Sequence, residues 1–208
     1  MKLTVKEGKA NKIHIYVDDE YHATVDSDYW YSEKYRKLKE INEDELTELL
    51  DAVSFRRAYN KSLDLLSRRP YGVKELTKKL CEKGHEKETS EKACKRLEEL
   101  GLLNDENYAE ILAKELIERK NYSHKRVKQE LSFRGINREI IDNTLDCLDN
   151  DTENRIILVI KKKYINKLND EKGRKRAIDG LMRLGYSYSE IKSALNSISE
   201  YSEDEFYD

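Results

Sequence analysis

The sequence predicts a mainly α protein in which tandem three-helix repeats form an elongated arc, preceded by a small N-terminal antiparallel β meander. Three glycines that end predicted helices, Gly84, Gly135 and Gly185, are spaced by 51 and 50 residues, a constant period typical of stacked repeats. Residues 2–26 instead alternate apolar and polar side chains at period two, the pattern of strands with one buried face. A single proline among 208 residues leaves long helices uninterrupted.

The β meander is predicted from three short alternating runs. The positions expected on the buried face are Leu3, Val5, Ile13, Ile15, Val17, Tyr21, Ala23 and Val25. The polar run from Asp18 to Glu20 predicts a short turn between the last two strands. A sheet of this size is marginal alone, so we expect it to pack on the first helix. The aromatic cluster Tyr29, Trp30, Tyr31 and Tyr35 can supply that contact, and stacking on nucleic-acid bases is the alternative.

Helix starts are predicted where a capping residue precedes an apolar-periodic run. They are Asn42 with Glu45, Val73 after the break at Pro70, Thr89 or Ser90, Asn104 or Asp105, Ser123, Asn137, Asp151 or Thr152, and Ser187 with Glu190. A polar linker is expected over residues 169–173. The resulting domains are residues 1–40 (meander and connector), 41–102, 103–149 and 150–199 (three-helix repeats 1 to 3) and 200–208 (an acidic tail without periodicity).

Charge alternates along the chain although the formal net charge is only -2. Residues 119–138 hold seven Lys and Arg against one Glu, and residues 161–183 hold nine against three acids. The stretch between them and the last 25 residues are acidic. A net charge near zero therefore does not exclude an anionic partner.

Basic side chains near the middle helices are the candidate binding residues. On a helical wheel Lys125 and Lys128 lie opposite Val127 and Leu131, so positive charge should project away from the core. Either a solvated face or contact with phosphates or an acidic protein surface accounts for this pattern. The candidate set is Arg68, Arg69, Lys125, Arg126, Lys128, Arg134, Lys161, Lys162, Lys163, Arg174, Lys175 and Arg176.

Sequence patterns for catalysis, metal binding and membrane insertion are missing. There is no P-loop, no GxGxxG and no paired carboxylates in an apolar setting, so we expect a non-enzymatic protein without a cofactor. Cys81, Cys94 and Cys147 lack metal-ligand spacing, as do the four single histidines. No apolar run approaches the ~20 residues that span a bilayer, and the N-terminus lacks a signal-peptide centre. We expect a cytoplasmic monomer.

Three motifs in order make the chain resemble the RecX regulatory proteins. They are RRPYGVKELTKKLCEKG from Arg68, RLEELGLLNDENYAEILAKELI from Arg96 and KRVKQELSFRGI from Lys125. The resemblance covers about residues 40–198, and the ordered set is more specific than any single motif. Gly72 stands where the family usually has a serine, and an Asn-Asp pair at 104–105 replaces Asp-Asp.

This resemblance implies a modulator of the RecA recombinase. Members bind RecA and its filament on single-stranded DNA, lodge in the filament groove, and suppress ATP hydrolysis, strand exchange and coprotease activity. They are built from tandem three-helix units. On this basis we expect an inhibitor of RecA that modulates recombination, DNA repair and the SOS response.

A hypothesis from another class is a helical-repeat DNA-binding regulator that acts directly on nucleic acid. Three-helix units resemble helix-turn-helix modules, and a basic helix can enter a major groove. Against this hypothesis, the middle helices lack an exposed stripe of Arg, Asn and Gln for reading base edges, and the acidic third helices repel phosphates. Weak direct contact with DNA beside RecA binding is compatible with the basic helices.

Overall fold

A computed structural model describes residues 1–148 and 151–204, the last six of these by backbone alone. The described chain is mainly helical with a three-stranded antiparallel sheet at its N-terminus, which confirms the predicted fold class. It divides into two compact units: unit 1 comprises Met1–Pro70 and Leu76–Leu103, and unit 2 comprises Tyr71–Glu75 and Asn104–Asp208. The arc remains a prediction. No helix in the described ranges combines the length and apolar character needed to cross a membrane.

The sheet of unit 1 contains β1 (Leu3–Glu7), β2 (Lys12–Val17) and β3 (Glu20–Asp26) in sequential order. Asp18 and Asp19 join β2 to β3, and both have positive φ, 50° and 66°. A two-residue turn with two positive φ angles is the type I′ hairpin, whose twist matches the flanking strands. The predicted polar turn is thus confirmed.

A register shift changes which side chains face the core. Ile15 pairs with Ala23, whereas Tyr16 pairs with Tyr21, so His22 is the additional residue of a β-bulge. Because the bulge reverses the alternation, Tyr21 leaves the core face and is 58% exposed. The prediction that Tyr21 is buried was therefore wrong. Val5, on the edge strand β1, is also exposed.

The helical segments that follow the sheet are α1 (Ser27–Ser32), a 3₁₀ turn (Lys34–Lys37), α2 (Glu43–Leu66), α3 (Val73–Glu82) and α4 (Lys87–Glu99). All belong to unit 1 except the first three residues of α3, which belong to unit 2. Helices α1 and α2 pack against the sheet. Trp30 and Tyr35 are buried among the sheet residues and α2, which confirms the packing interpretation for these two rings. Of the same cluster, Tyr31 is exposed.

The α2 cap follows the prediction and the α4 start does not. Asn42 accepts a hydrogen bond from the Glu45 N–H at 2.8 Å and donates its own N–H to the Glu45 carboxylate at 3.0 Å, a complete capping box. Helix α4 begins at Lys87, before the predicted Thr89 or Ser90. The Ser90 hydroxyl donates to the Glu86 carbonyl at 2.8 Å instead of capping, which a serine inside a first turn often does.

Unit 2 contains the remaining helices. They are α5 (Asp105–Glu118), α6 (His124–Phe133), α7 (Arg138–Asp146), α8 (Thr152–Lys163), a 3₁₀ turn (Ile165–Lys167), α9 (Glu171–Arg183) and α10 (Tyr188–Asp204). The predicted caps are confirmed: side-chain oxygens accept N–H bonds at Asn104, Ser123, Asn137, Asp151 and Ser187. Helix α9 starts inside the predicted linker because Asp170 caps it. Helix α10 runs past residue 200, where the acidic tail was predicted, and residues 205–208 lie outside the described ranges.

A common plan relates the helices in groups of three. The first helix contacts the third in each group, α2 with α4, α5 with α7 and α8 with α10. The middle helices α3, α6 and α9 end alike, because the N–H groups of His85, Ile136 and Tyr186 bond carbonyls five residues earlier. This is the Schellman motif, and Gly84, Gly135 and Gly185 supply its positive φ at 87°, 84° and 96°. The glycine period is therefore a repeated helix stop.

Candidate partner-binding surface

Helix α6 presents its basic side chains as the helical wheel predicts. Val127 and Leu131 are completely buried in the core of unit 2, whereas Lys125 and Gln129 on the opposite side are exposed. The Ser123 hydroxyl accepts the Arg126 N–H at 3.2 Å and fixes where the helix begins. The buried stripe thus fixes the direction of the positive face.

Two of the α6 cations are engaged within the protein. The Lys128 ammonium contacts the Asp142 carboxylate of α7, and this hydrogen bond holds the pKa of Asp142 below its usual value. Arg126 forms an ion pair with Glu130 at 2.8 Å, and its guanidinium lies 5.7 Å from the centre of the Tyr122 ring. Lys125 contacts no acid among the described residues.

Arg134 belongs to a polar network inside unit 2. Its Nη1 donates to the Tyr108 hydroxyl at 2.8 Å and lies 3.2 Å and 3.3 Å from the two Glu75 carboxylate oxygens. The Tyr108 hydroxyl donates to Glu75 at 2.8 Å. The side chains of Arg134 and Glu75 are only 29% and 21% exposed. Burial, followed by the hydrogen bond to Glu75, raises the pKa of Tyr108 to about 12.

This Glu75–Tyr108–Arg134 network contains one residue from each of the three sequence motifs. Neither Glu75 nor Tyr108 was singled out from the sequence as a partner of Arg134. Arg134 and Glu75 are 59 residues apart in the chain, so no local pattern predicts that they pair. Their positions within the motifs were the only signal in the sequence. Arg134 therefore stabilises unit 2 through internal contacts. Only the exposed 29% of its side chain is accessible to a partner.

Gly72 lies beside the same network. The Val73 N–H at the start of α3 donates to the Asp105 carboxylate at 2.8 Å, so Asp105 supplies the cap that a serine at position 72 would offer. A Cβ on Gly72 would lie 2.9 Å from Ile136 and 3.1 Å from Tyr108. The packing at this point leaves little room for a side chain.

The second basic stretch, residues 161–183, includes the end of α8 and all of α9. Lys161, Lys162 and Lys163 occupy the last turn of α8, where the helix dipole favours positive charge. A Cβ on Gly173 would overlap the Lys167 carbonyl oxygen, so α9 packs closely on the preceding 3₁₀ turn. The Arg174 Nε donates to the Leu168 carbonyl at 2.9 Å. The two basic segments therefore adjoin one another.

Arg68 and Arg69 belong to unit 1, at the end of α2. Arg68 is exposed and forms an ion pair with Asp64 at 2.9 Å, and Arg69 donates to the Pro70 carbonyl at 3.0 Å. Among the described residues, six candidates are exposed and form neither a hydrogen bond nor an ion pair through their side chains. We call them the exposed cation set: Lys125, Lys161, Lys162, Lys163, Lys175 and Arg176.

Other reactive groups remain dispersed. Cys94 is buried, which raises the pKa of its thiol, while Cys147 is exposed. In the part of the chain that the structure describes, His, Cys, Asp and Glu side chains form no group that could hold a metal ion. The exposed cation set is thus a surface of positive charge on unit 2.

Comparison with known proteins adds two family models and several full-length relatives. The model for the first three-helix domain of RecX matches residues 58–97, and that for the second matches residues 104–145. A regulatory protein RecX from Clostridioides difficile (strain 630) is 29% identical over 97% of this chain and 96% of its own length. Those of Clostridium perfringens (strain SM101 / Type A) and Caldanaerobacter subterraneus subsp. tengcongensis are 27% and 29% identical over 97% and 92% of this chain, and 97% and 96% of their own.

Two crystal structures share the fold. One, of a regulatory protein RecX, has a TM-score of 0.65 and 24% identity, and the likeness covers 92% of this chain and 98% of that one. The other, of RecX from Lactobacillus salivarius, has a TM-score of 0.61 and 23% identity over 71% of this chain and 98% of that one. The arrangement of strands and helices described above is therefore shared with solved relatives.

Proposed function

The chain belongs to the RecX family, and from this premise we propose that it regulates the RecA recombinase by binding RecA and its filament on single-stranded DNA. Binding would inhibit ATP hydrolysis, strand exchange and coprotease activity, and so modulate recombination, DNA repair and the SOS response. The protein itself would catalyse no reaction. It would act in the cytoplasm as a monomer.

The observation that carries this proposal is the exposed cation set on unit 2. Three lysines at the end of α8 and two cations in α9 are solvent-exposed and contact no acid among the described residues. A surface of unpaired cations attracts an anionic partner over several ångströms and steers its association. A filament that contains both protein and DNA phosphates offers such a partner.

We expect the candidates that already have intramolecular partners to contribute less to the binding of RecA than the exposed cation set does. Arg126, Lys128 and Arg134 already have intramolecular partners, so a partner protein or phosphate must compete with those contacts. Exposed ion pairs contribute little to stability, so Arg126 and Lys128 can exchange partners at small cost. Arg134 is held more firmly, because its network is mostly buried.

The test is RecA-dependent ATP hydrolysis on single-stranded DNA with and without the protein. We expect inhibition by the wild type and weaker inhibition by a variant with Lys161→Glu, Lys163→Glu and Lys175→Glu. A control with the same type of substitution reverses two exposed cations of unit 1 that form no ion pair among the described residues, Lys78→Glu and Lys95→Glu, and should inhibit like the wild type.

Two results would contradict the proposal. One is ATPase or nuclease activity of the purified protein without RecA. The other is unchanged RecA activity together with DNA binding that weakens steeply with salt, which would favour the helical-repeat DNA-binding regulator. Contact with a protein filament should retain a salt-resistant part.

A further inference from the structure

A second basic site lies in unit 1, between the sheet and the first helix of the first three-helix group. Strand β3 is the last strand of the sheet, and α2 packs beside it. Between them is a cleft with a cavity volume of about 250 Å³. The side chains that define it are Lys12, Tyr21, Tyr29, Arg56, Arg57 and Asn60.

The cleft carries net positive charge. Its cations are Lys12, Arg56 and Arg57, and its acid, Asp26, is already bound to Lys12 at 2.5 Å. The Arg56 guanidinium lies 5.0 Å from the centre of the Tyr29 ring, so its edge remains available for an acceptor. Arg57 is exposed and contacts no acid among the described residues. Two guanidinium groups are thus available to an anion.

Aromatic rings, exposed at Tyr21 and half-buried at Tyr16, continue from the cleft onto the outer face of the sheet. The β-bulge at His22 turns Tyr21 outward, and its ring contacts Tyr16 edge to face with centres 5.9 Å apart. Its hydroxyl is 2.9 Å from the Thr24 hydroxyl, which fixes the ring orientation. Lys6 lies 4.5 Å from the centre of the Tyr16 ring. A bulge that exposes a ring beside cations is a device for presenting that side chain.

The size of the cleft indicates what fits. Sites that enclose a small molecule have volumes of about 300–1,000 Å³, so this cleft accommodates one part of a longer ligand. Cations that follow a backbone and aromatic rings that accept a base are the chemistry of single-stranded nucleic-acid binding. A base inside a duplex offers no free face for stacking, which disfavours double-stranded DNA.

We propose that the β3–α2 cleft and the adjoining outer face of the sheet bind single-stranded nucleic acid. Arg56 and Arg57 contact a phosphate, and Tyr21 stacks on the neighbouring base. This site requires neither RecA nor the exposed cation set of unit 2. It therefore stands or falls separately from the proposed inhibition of RecA.

The experiment measures the fluorescence anisotropy of a labelled oligothymidylate with the intact protein, in the absence of RecA and over a range of salt concentrations. We expect Tyr21→Ala to weaken binding roughly 5- to 150-fold, the loss typical of one stacked base. Tyr21→Phe keeps the ring and should bind like the wild type. Arg56→Glu with Arg57→Glu should also reduce the salt dependence, by about 0.7 in the log–log slope for each phosphate that is no longer neutralised.

The control is again Lys78→Glu with Lys95→Glu, which changes the charge of unit 1 equally but outside the cleft. Unchanged affinity in the Tyr21→Ala and Arg56/Arg57 variants, or an equal loss in the control, would overturn the proposal. So would equal affinity for a duplex of the same length, or competition by a polyglutamate peptide as effective as by unlabelled oligothymidylate. Competition by thymidine monophosphate at high concentration, with inorganic phosphate weaker, would support a site for base and phosphate together.

Discussion

The hydroxyl group of Tyr108 provides a precise test of the polar network in unit 2. It donates to Glu75 and accepts from Arg134, each at 2.8 Å. Tyr108→Phe removes this oxygen and leaves the buried ring in place, so no large cavity forms. The substitution therefore isolates the polar contribution from the packing contribution.

The expected cost is about 2 kcal/mol. A hydrogen bond to a charged group contributes roughly 1.5–3 kcal/mol, and this hydroxyl has two such partners. The two effects do not add, because Arg134 and Glu75 keep their own contact at 3.2 Å and 3.3 Å. Water also reaches the exposed part of both charged side chains and replaces some of the missing interaction.

Urea unfolding followed by circular dichroism measures this cost. For a slope of about 2 kcal/mol per molar urea, the substitution shifts the midpoint down by about 1 M. Tyr188→Phe removes the same atom from an exposed tyrosine of unit 2 and should leave the midpoint unchanged. A Tyr108→Phe midpoint that agrees with the control would refute the network as a source of stability.

The same hydroxyl also predicts a dependence on alkaline pH. The pKa of Tyr108 is raised to about 12 in the folded protein, so the native state holds the proton more tightly than the unfolded chain does. This contribution is complete below about pH 10, the ordinary tyrosine value, and is lost as the pH rises towards 12. The difference in stability between the wild type and Tyr108→Phe should therefore shrink between pH 9 and pH 11.5. A constant difference over this range would contradict the assignment.

Four further outcomes follow from particular contacts. Lys128→Glu should lower the thermal midpoint by about 1–3 °C because it places like charge beside Asp142, whereas Lys125→Glu should not change it. Burial, followed by nearby cations, lowers the pKa of His85, so stability should fall as the pH decreases below about 6.5, and His85→Gln should flatten this dependence in denaturation measured from pH 7.5 to 5.5. Gly173→Ala should destabilise the protein by about 2 kcal/mol or more in urea, although alanine favours helix, because its Cβ would overlap a backbone carbonyl. Small-angle scattering should give a radius of gyration clearly above ~17 Å, the value for a compact chain of this length, if the repeats form the predicted arc.

Much of the fold was predictable because local chemistry fixes helix ends. Capping side chains and the glycine stops act within a few residues, so the start of α2 at Asn42 and the end of α6 at Gly135 were predicted correctly. The errors arose where a residue had two local options. Ser90 lies inside α4 and bonds the Glu86 carbonyl at the N-terminal end of the helix instead of capping it, and the bulge at His22 reverses the strand alternation that a period-two pattern assumes.

The candidate site was predictable only in part. The helical wheel of α6 correctly predicted that Lys125 faces solvent, because two buried residues on the same helix define its inner side. It could not show that Lys128 contacts Asp142 or that Arg134 contacts Glu75, since those partners are 14 and 59 residues away in the chain. Long-range pairing of charges depends on the packing of helices, which periodicity does not encode.

Because α9 contains two glycines, it presents its basic side chains on a helix only while it is packed against the rest of unit 2. Each of Gly173 and Gly180 lowers intrinsic helix stability by roughly 1 kcal/mol relative to alanine, and an isolated helix of 13 residues is marginal even without glycine. The cations Arg174, Lys175 and Arg176 lie near the N-terminal end, where the helix dipole disfavours them. Docking of α9 against Tyr164 and the 3₁₀ turn must therefore hold it helical. A synthetic peptide with the sequence of residues 171–183 would be largely unstructured in water. If α9 contacts RecA as proposed, this peptide would compete poorly with the intact protein for RecA. A peptide that imitates α9 would therefore need a covalent constraint to hold it helical.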